Sequence, residues 1–182
     1  MHSTAGTVEP AAPEEGGRVQ VWWGAGEPTA AALGVGARAA GRGHRVHVLR
    51  VGEDHPGERA VAAALPGMSY ERAGHDSWQG ALENPDAARA EAALARARDL
   101  LEACTRADLR APLALGATPE EGVHVLVVGG VLDAVERGLV TEADVRALAE
   151  GKPADLELLL TGGDERPAVA EVADLVSTVG PD

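Results

Sequence analysis

The sequence contains no phenylalanine, one tyrosine and three tryptophans among 182 residues, although 45% of its residues are hydrophobic. Alanine, valine and leucine supply most of that share, so we expect an aliphatic core. A chain of this length is typical of a single domain. No stretch approaches the roughly 20 apolar residues that a membrane span needs. The sequence therefore predicts a protein without a transmembrane segment.

Positive charge is scarce, because Lys152 is the only lysine and the 16 basic residues face 29 acidic ones, for a net charge of −13. Nucleic-acid-binding proteins neutralise phosphates with lysine and arginine, so this balance argues against such a partner. A lysine-poor, acidic composition suits a salt-rich cytosol. It suits equally an ordinary acidic cytosolic protein from a GC-rich genome, and composition leaves both alternatives open.

Cysteine occurs once, at Cys104, which excludes an internal disulfide and fits a reducing compartment. We interpret Cys104 as a small core residue. The first 17 residues lack the basic region and apolar run of a secretory signal. We predict a disordered acidic tail over residues 1–17, a single α/β domain over residues 18–182 and a cytoplasmic location.

Short runs rich in valine and leucine alternate with alanine-rich segments of helical character, which is the pattern of a parallel sheet covered by helices. Helices are predicted to begin at Pro28, after Asn84 and after Thr141, which opens a capping-box-like motif. Residues 68–73 form a weaker candidate strand. The strands predicted for one sheet are Val19–Trp23, Arg45–Val51, Val123–Val128, Asp155–Leu160 and Leu175–Val179.

The segment GAGEPTA, residues 24–30, has the outline of a phosphate-binding loop between the first strand and the first helix. Gly24 and Gly26 give such a loop its freedom to bend, but no lysine follows them. Glu27 and Pro28 are good helix-start residues that complement the helix dipole without any ligand. The loop is therefore also interpretable as a plain turn, which we expect at the carboxyl edge of the sheet beside Gly129 and Gly163.

Weaker patterns bear on a dinucleotide site and on a metal site. The same loop is a poor version of the dinucleotide fingerprint, with Glu53 or Asp54 slightly too far along for a ribose contact, and this leaves an NAD(P)-binding protein as an alternative. The histidines at 44, 47, 55 and 124 lack metal-ligand spacing, so no metal site is predicted from them.

Taken together, the motifs resemble the ATP-dependent corrinoid adenosyltransferase family, which has a P-loop fold. GRVQVWWGAGEPTAAALGVGARAAGRGHRVHVL, residues 17–49, is similar to the family's strand, G-x-G-K-G-K-T-T loop, A-A-L-G helix and turn into the next strand. Gly57 and Glu58 match its G-E. Residues 138–177 resemble its closing pattern of a helix, a strand ending in T-G-R, and A-D-x-V. The resemblance implies a P-loop-like parallel sheet flanked by helices.

Such a protein is expected to bind ATP, Mg²⁺ and a reduced corrinoid, and to transfer the 5′-deoxyadenosyl group to cobalt. His75 and Trp78 fall near the family's corrinoid-facing aromatic segment, and we take them as corrinoid-facing candidates. The nucleotide-binding positions implied by the resemblance are Gly24, Ala25, Gly26, Thr29 and Ala30. Other positions that match the family are Glu58, Gly129, Gly130, Thr161, Gly162 and Asp174.

The departures from the family pattern concern charge. Neither loop lysine has a counterpart, and one loop residue is missing. Gly129 and Gly130 stand where the family's metal-handling Asp and Glu belong, and Gly163 replaces the arginine of T-G-R. Glu27 introduces a like charge that costs about 4 kcal/mol against phosphate at 4 Å and an effective dielectric near 20.

We therefore expect a degraded Mg·ATP site. The alternative is a non-catalytic paralogue that binds a corrinoid, a nucleotide or a partner, as a homodimer or as a heterodimer with an intact paralogue. An active enzyme would need a replacement cation, for which Arg50 and Arg166 are the candidates. Asp133, close to the missing carboxylates, is interpreted as a solvated helix residue.

Overall fold

The structure is a computed structural model that describes residues 16–73, 84–107 and 118–181. Six parallel strands form one sheet in the order β3-β2-β4-β5-β1-β6. The strands are β1 (Val19–Trp23), β2 (Val46–Val51), β3 (Met68–Ala73), β4 (Val125–Gly129), β5 (Glu157–Gly162) and β6 (Leu175–Thr178). This arrangement confirms the predicted α/β class with a parallel sheet.

Helices connect the strands and cover the sheet. They are α1 (Pro28–Gly41), α2 (Pro56–Ala64), α3 (Asn84–Arg106), α4 (Val131–Glu136), α5 (Glu142–Glu150) and α6 (Pro167–Ala170), and a 3₁₀ turn spans Pro119–Glu121. No helix within the described ranges is long and apolar enough to cross a membrane.

The core is aliphatic and lies on both faces of the sheet, as alternation along the strands requires. On one face, Leu126 and Leu158 pack with Leu100 of α3. On the other, Val127 and Leu159 belong to the cluster that contains residues of α1. Cys104 is 2% exposed in the first cluster, which confirms its interpretation as a core residue.

Local signals explain most helix starts. Pro28 and Pro56 occupy the first helical positions of α1 and α2, where a missing N–H costs nothing. The Thr141 hydroxyl oxygen accepts a hydrogen bond from the Asp144 N–H at 3.1 Å, and the Asp144 carboxylate accepts one from the Thr141 N–H. The capping box predicted at Thr141 is therefore confirmed.

Several predicted boundaries are wrong by one or two residues. The strand β5 begins at Glu157 rather than Asp155, because the Leu156 N–H first closes a turn onto the Pro153 carbonyl at 3.2 Å. The strand β4 begins at Val125 rather than Val123 and extends to Gly129. The helix α4 contains Asp133, which the sequence placed on a helix without predicting its bounds. It begins after Gly130, which adopts a left-handed conformation with φ 75°.

Candidate functional site

The loop from Gly24 to Thr29 connects β1 to α1 at the carboxyl edge of the sheet. The Gly24 N–H donates to the Gly163 carbonyl at 2.9 Å, and the Gly26 N–H donates to the Val179 carbonyl at 3.1 Å. Gly24 has φ 127°, and a Cβ there would lie 2.2 Å from the Val179 oxygen, so only glycine fits. The predicted turn beside Gly163 is confirmed, and two of its amides are bonded to the chain itself.

Buried threonines join this loop to the neighbouring strand ends. Thr29 is 5% exposed and Thr161 is fully buried, and their hydroxyl oxygens lie 2.6 Å apart. The Gly130 N–H donates to the Thr161 oxygen at 3.0 Å. Because β4, β5 and β1 are neighbours in the sheet, the structure brings together Thr29, Gly130 and Thr161, which the sequence had placed far apart.

The guanidinium of Arg50 lies against this threonine cluster. Arg50 is 8% exposed, and its Nη1 donates to the Thr29 hydroxyl at 2.7 Å while its Nε donates to the Glu53 carbonyl at 3.1 Å. In phosphate-binding loops the corresponding hydroxyl is a magnesium ligand. In this chain, the hydroxyl accepts a hydrogen bond from an arginine instead.

The glycine at position 129 makes room for that arginine. Gly129 is the register partner of Arg50 across β4 and β2. A Cβ at position 129 would lie 2.8 Å from Thr29 Cγ2 and 3.3 Å from Arg50 Cδ. A carboxylate side chain at this position, as the family pattern has it, would therefore collide with the present arrangement.

Glu58, in the first turn of α2, supplies the counter-charge for Arg50. It is 7% exposed, and its Oε2 lies 3.9 Å from Arg50 Nε. Burial raises the pKa of the Glu58 carboxyl, Arg50 lowers that pKa, and the carboxylates of Glu27 and Asp54 raise it. Glu58 Oε2 is also a buried oxygen without a hydrogen-bond partner in the described chain. The site thus holds one buried cation already matched by a buried carboxylate.

The remaining loop residues add no positive charge. Ala25, Glu27 and Ala30 are exposed, and the Glu27 side chain makes no capping hydrogen bond. The Glu27 carbonyl accepts the Ala31 N–H at 3.0 Å, which is the first bond of α1. The loop therefore opens toward solvent with a carboxylate where the family pattern has lysines.

The donors at this edge do not fit a magnesium ion. No group of three or more His, Cys, Asp or Glu side chains suited to a metal occurs among the described residues. Thr29 is bonded to Arg50, and Asp133 Oδ1 accepts the Gly163 N–H at 2.5 Å. Asp133 lies on the helix α4, as interpreted, but it is not simply solvated, because its carboxylate holds the turn after β5.

Other candidate residues fall elsewhere. Arg166 lies after β5 and forms an ion pair with Asp164 at 3.8 Å, and no hydrogen bond joins it to Thr29. Its Nε and Nη2 are buried without a hydrogen-bond partner in the described chain. Asp174 accepts the Val19 N–H at 2.7 Å at the opposite, amino edge of the sheet, so it does not belong to the loop site. His75 and Trp78 lie outside the described residues. Gly162 is the last residue of β5, and a Cβ there would lie 2.5 Å from Leu132 Cβ.

The pairing of Arg50 with Glu58 was not predicted from the sequence. The available signal was a charged residue next to the end of VHVLRV, a strand that is otherwise mainly apolar. Position 50 lies near the carboxyl end of β2, where a parallel sheet gathers its site residues. The neighbour of β2, however, is not readable from the sequence, and the adjacency of β2 to β4 is what places Arg50 beside Gly129.

A cavity of about 410 Å³ lies at the other end of the sheet, and we call it the amino-edge cavity. Its walls are formed by the residues before β1, the end of α1, the segments before β2 and β4, and the start of β5. Its polar side chains include Arg18, Arg38, Arg42, His44, His124 and Glu157. The rings of His44 and His124 meet edge to face at 5.1 Å between centroids.

The parallel sheet, the turn between β1 and α1 and the threonine cluster at the strand ends define an α/β protein of the P-loop type. The family model of the ATP:corrinoid adenosyltransferase BtuR/CobO/CobP matches residues 15–181. The chain belongs to this family, which uses ATP and a corrinoid as substrates. This finding confirms the resemblance drawn from the sequence. No curated protein sequence matches the chain.

Proposed function

We propose that this chain is a cytoplasmic corrinoid adenosyltransferase-family protein of cobalamin metabolism whose Mg·ATP site is degraded. By itself it transfers the 5′-deoxyadenosyl group of ATP to a reduced corrinoid far more slowly than a family member with intact motifs. The observation that carries this proposal is the Arg50 guanidinium, which is bonded to the Thr29 hydroxyl and matched by the Glu58 carboxylate.

The chemistry explains why this observation matters. Reduced cobalt supplies the electron pair that attacks C5′, the C5′–O bond breaks, and triphosphate leaves with the negative charge. The protein contributes positioning and stabilisation of that charge. The Arg50 charge is neutralised by Glu58, two loop amides are bonded to Gly163 and Val179, and Glu27 opposes phosphate.

The strand order favours this proposal over an NAD(P)-binding function. In dinucleotide-binding folds, the strand that carries the ribose-binding acid lies beside the strand that carries the glycine loop. Here β4 and β5 separate β2 from β1. Asp54 is also engaged, because its carboxylate pairs with Arg59 and accepts the Tyr70 hydroxyl at 3.2 Å.

A non-catalytic role within the same family is the second candidate. In this role the chain binds a corrinoid, a nucleotide or a partner subunit without catalysing the transfer. It acts as a homodimer or as a heterodimer with an intact paralogue. His75 and Trp78 remain the proposed corrinoid-facing residues. Titration calorimetry with cob(II)alamin tests this role, and binding without turnover would favour it.

The direct test follows the loss of cob(I)alamin absorbance when the purified chain receives Mg·ATP and chemically reduced cob(I)alamin. We expect a rate at least about four powers of ten below that of an intact family enzyme, because each missing charge contact costs about 2–4 kcal/mol. The assay is run at low and at molar KCl, since an acidic chain can require salt to fold. Turnover comparable to the intact enzyme in either salt would refute the proposal.

Restoring positive charge to the loop tests whether its absence limits ATP binding. The double variant Glu27→Gly/Pro28→Lys is expected to bind ATP more tightly by about 1–3 kcal/mol, on the scale of charge-assisted hydrogen bonds. Glu150→Lys makes the same charge change at an exposed position of α5 and is the matched control, with no gain expected. Equal affinity changes in the two variants would show that loop charge does not limit binding.

A further inference from the structure

Three arginines line the amino-edge cavity, at the opposite edge of the sheet from the loop site. Arg38 and Arg42 are four residues apart at the carboxyl end of α1, and Arg18 immediately precedes β1. Like charges at this helical spacing repel each other. The end of the helix dipole accounts for one or two basic residues on α1, but it does not account for Arg18.

None of these three side chains makes an ion pair or a hydrogen bond within residues 16–73, 84–107 and 118–181. This separates them from most arginines of the chain, which lie against carboxylates. The paired ones are Arg50, Arg59, Arg89, Arg96, Arg98, Arg106, Arg146 and Arg166. In a chain with 29 acidic residues, unpaired arginines gathered around one cavity indicate a missing anionic partner.

The carboxylates at the cavity do not take that place. Glu157 Oε2 accepts the backbone N–H of Arg18 at 2.8 Å, and its Oε1 accepts the Gln20 side-chain amide. Asp155, the other acid of the wall, has an interaction of its own. Neutral donors therefore hold Glu157, and the guanidinium groups stay available.

A neutral imidazole completes the wall. His44 Nδ1 is buried and has no hydrogen-bond partner in the described chain. Burial lowers the pKa of His44, and the neighbouring Arg42 lowers it further, so the ring is uncharged at neutral pH. An uncharged imidazole can donate to or accept from an oxygen-rich ligand.

We propose that the amino-edge cavity binds a small multivalent anion, of the phosphate- or carboxylate-bearing class, whose charges pair with Arg18, Arg38 and Arg42. Guanidinium groups favour such ligands because their planar fork matches carboxylate and phosphate oxygens two at a time. The volume of about 410 Å³ lies within the range of small-molecule sites. The site is separate from the loop at the carboxyl edge and does not depend on the function proposed for that loop.

The test uses the full chain and three probes, namely inorganic phosphate, pyrophosphate and citrate, each against sodium chloride at the same ionic strength. Thermal unfolding and titration calorimetry measure binding. We expect at least one probe to raise the melting temperature above the chloride reference and to bind with a submillimolar Kd. Pyrophosphate binding tighter than citrate assigns a phosphate-bearing ligand, and the reverse assigns a carboxylate-bearing one.

Paired variants locate the site. Arg38→Gln/Arg42→Gln is expected to weaken binding of the better probe at least tenfold. Arg98→Gln/Arg106→Gln removes the same charge from exposed positions of α3 and is expected to change the affinity less than twofold. Circular dichroism checks that both variants fold. Equal losses in the two variants, unchanged binding in the first, or no probe binding beyond chloride would each overturn the proposal.

Discussion

The two edges of the sheet treat positive charge in opposite ways. At the carboxyl edge, Arg50 is buried, bonded to Thr29 and matched by Glu58. At the amino edge, Arg38 and Arg42 are exposed and make no ion pair within the described chain. At the edge that carries the nucleotide-site motif, Arg50 is thus used in contacts within the protein. The edge without any motif presents two exposed arginines that have no ion pair within the described chain.

Removing one arginine from each edge should show the largest contrast. Arg50→Met leaves Glu58 buried without its partner, so we expect a loss of about 3–5 kcal/mol in the free energy of unfolding. Arg42→Met removes an unpaired surface charge and should change that free energy by less than about 0.5 kcal/mol. Urea unfolding at pH 7 measures both.

A second variant shows whether the buried pair is the cause. Adding Glu58→Gln to Arg50→Met should recover part of the loss, because the uncompensated carboxylate is removed. If Arg50→Met costs no more than Arg42→Met, the two edges do not differ in the way described.

Glycine substitutions give a smaller contrast. Gly129→Ala places a methyl group 2.8 Å from Thr29 Cγ2 and close to Arg50, and we expect a loss of about 1–3 kcal/mol from overpacking. Gly41→Ala, at the end of α1, meets nothing within 4 Å and should be neutral or stabilising by up to about 1 kcal/mol. Urea unfolding compares them, and a neutral Gly129→Ala would mean that Arg50 and Thr29 can move apart freely.

The smallest contrast is in pH dependence. The pKa of Glu58 is raised in the folded chain, so the folded state keeps a proton that the unfolded state has lost. Wild-type stability therefore falls as pH rises from about 4.5 through the raised pKa. The free energy of unfolding of Glu58→Gln should therefore rise relative to that of the wild type across this pH window, by at most about 1.4 kcal/mol per pH unit.

At the amino edge, His44 gives the opposite pH dependence of stability. The pKa of His44 is lowered by burial and by Arg42, so the unfolded chain takes up a proton first as pH falls below 6.5. The free energy of unfolding of His44→Gln should therefore rise relative to that of the wild type as pH decreases from 6.5. Urea unfolding of both variants and wild type between pH 4 and 8 measures the two slopes, and slopes of the same sign would contradict this comparison.

The fold was largely readable from the sequence because local patterns determine it. Valine-rich and leucine-rich strands buried on both faces, prolines at helix starts and the capping box at Thr141 are signals within a few residues of one another. The boundary error at Asp155 arose where a turn hydrogen bond precedes the strand. At Val123 the backbone N–H donates to Cys104 Sγ at 3.3 Å instead of to a neighbouring strand. The bounds of the short helix α4 were not readable because its start depends on the left-handed Gly130 rather than on an apolar period.

The site was only partly readable because it depends on strand order. The sequence correctly brought the Gly24 turn beside Gly129 and Gly163. It named Arg50 only as a candidate cation for phosphate, because the proximity of Glu58 to Arg50 is a property of the folded sheet. The role of Asp133 likewise depends on the Gly163 N–H, which belongs to another strand end.

The hydrogen bonds that hold the loop also determine when it can form. Among the described residues, β1 pairs with β5 and β6 alone, and the Val19 N–H donates to the Asp174 carboxylate, 155 residues further along the chain. At about 5–20 residues per second, a ribosome needs roughly 8–30 s to make the intervening segment. During that time β1 has neither neighbour, and the turn after it lacks the Gly163 and Val179 carbonyls. The strand β1 therefore precedes both of its neighbours in synthesis and is among the last strands of this sheet to be completed.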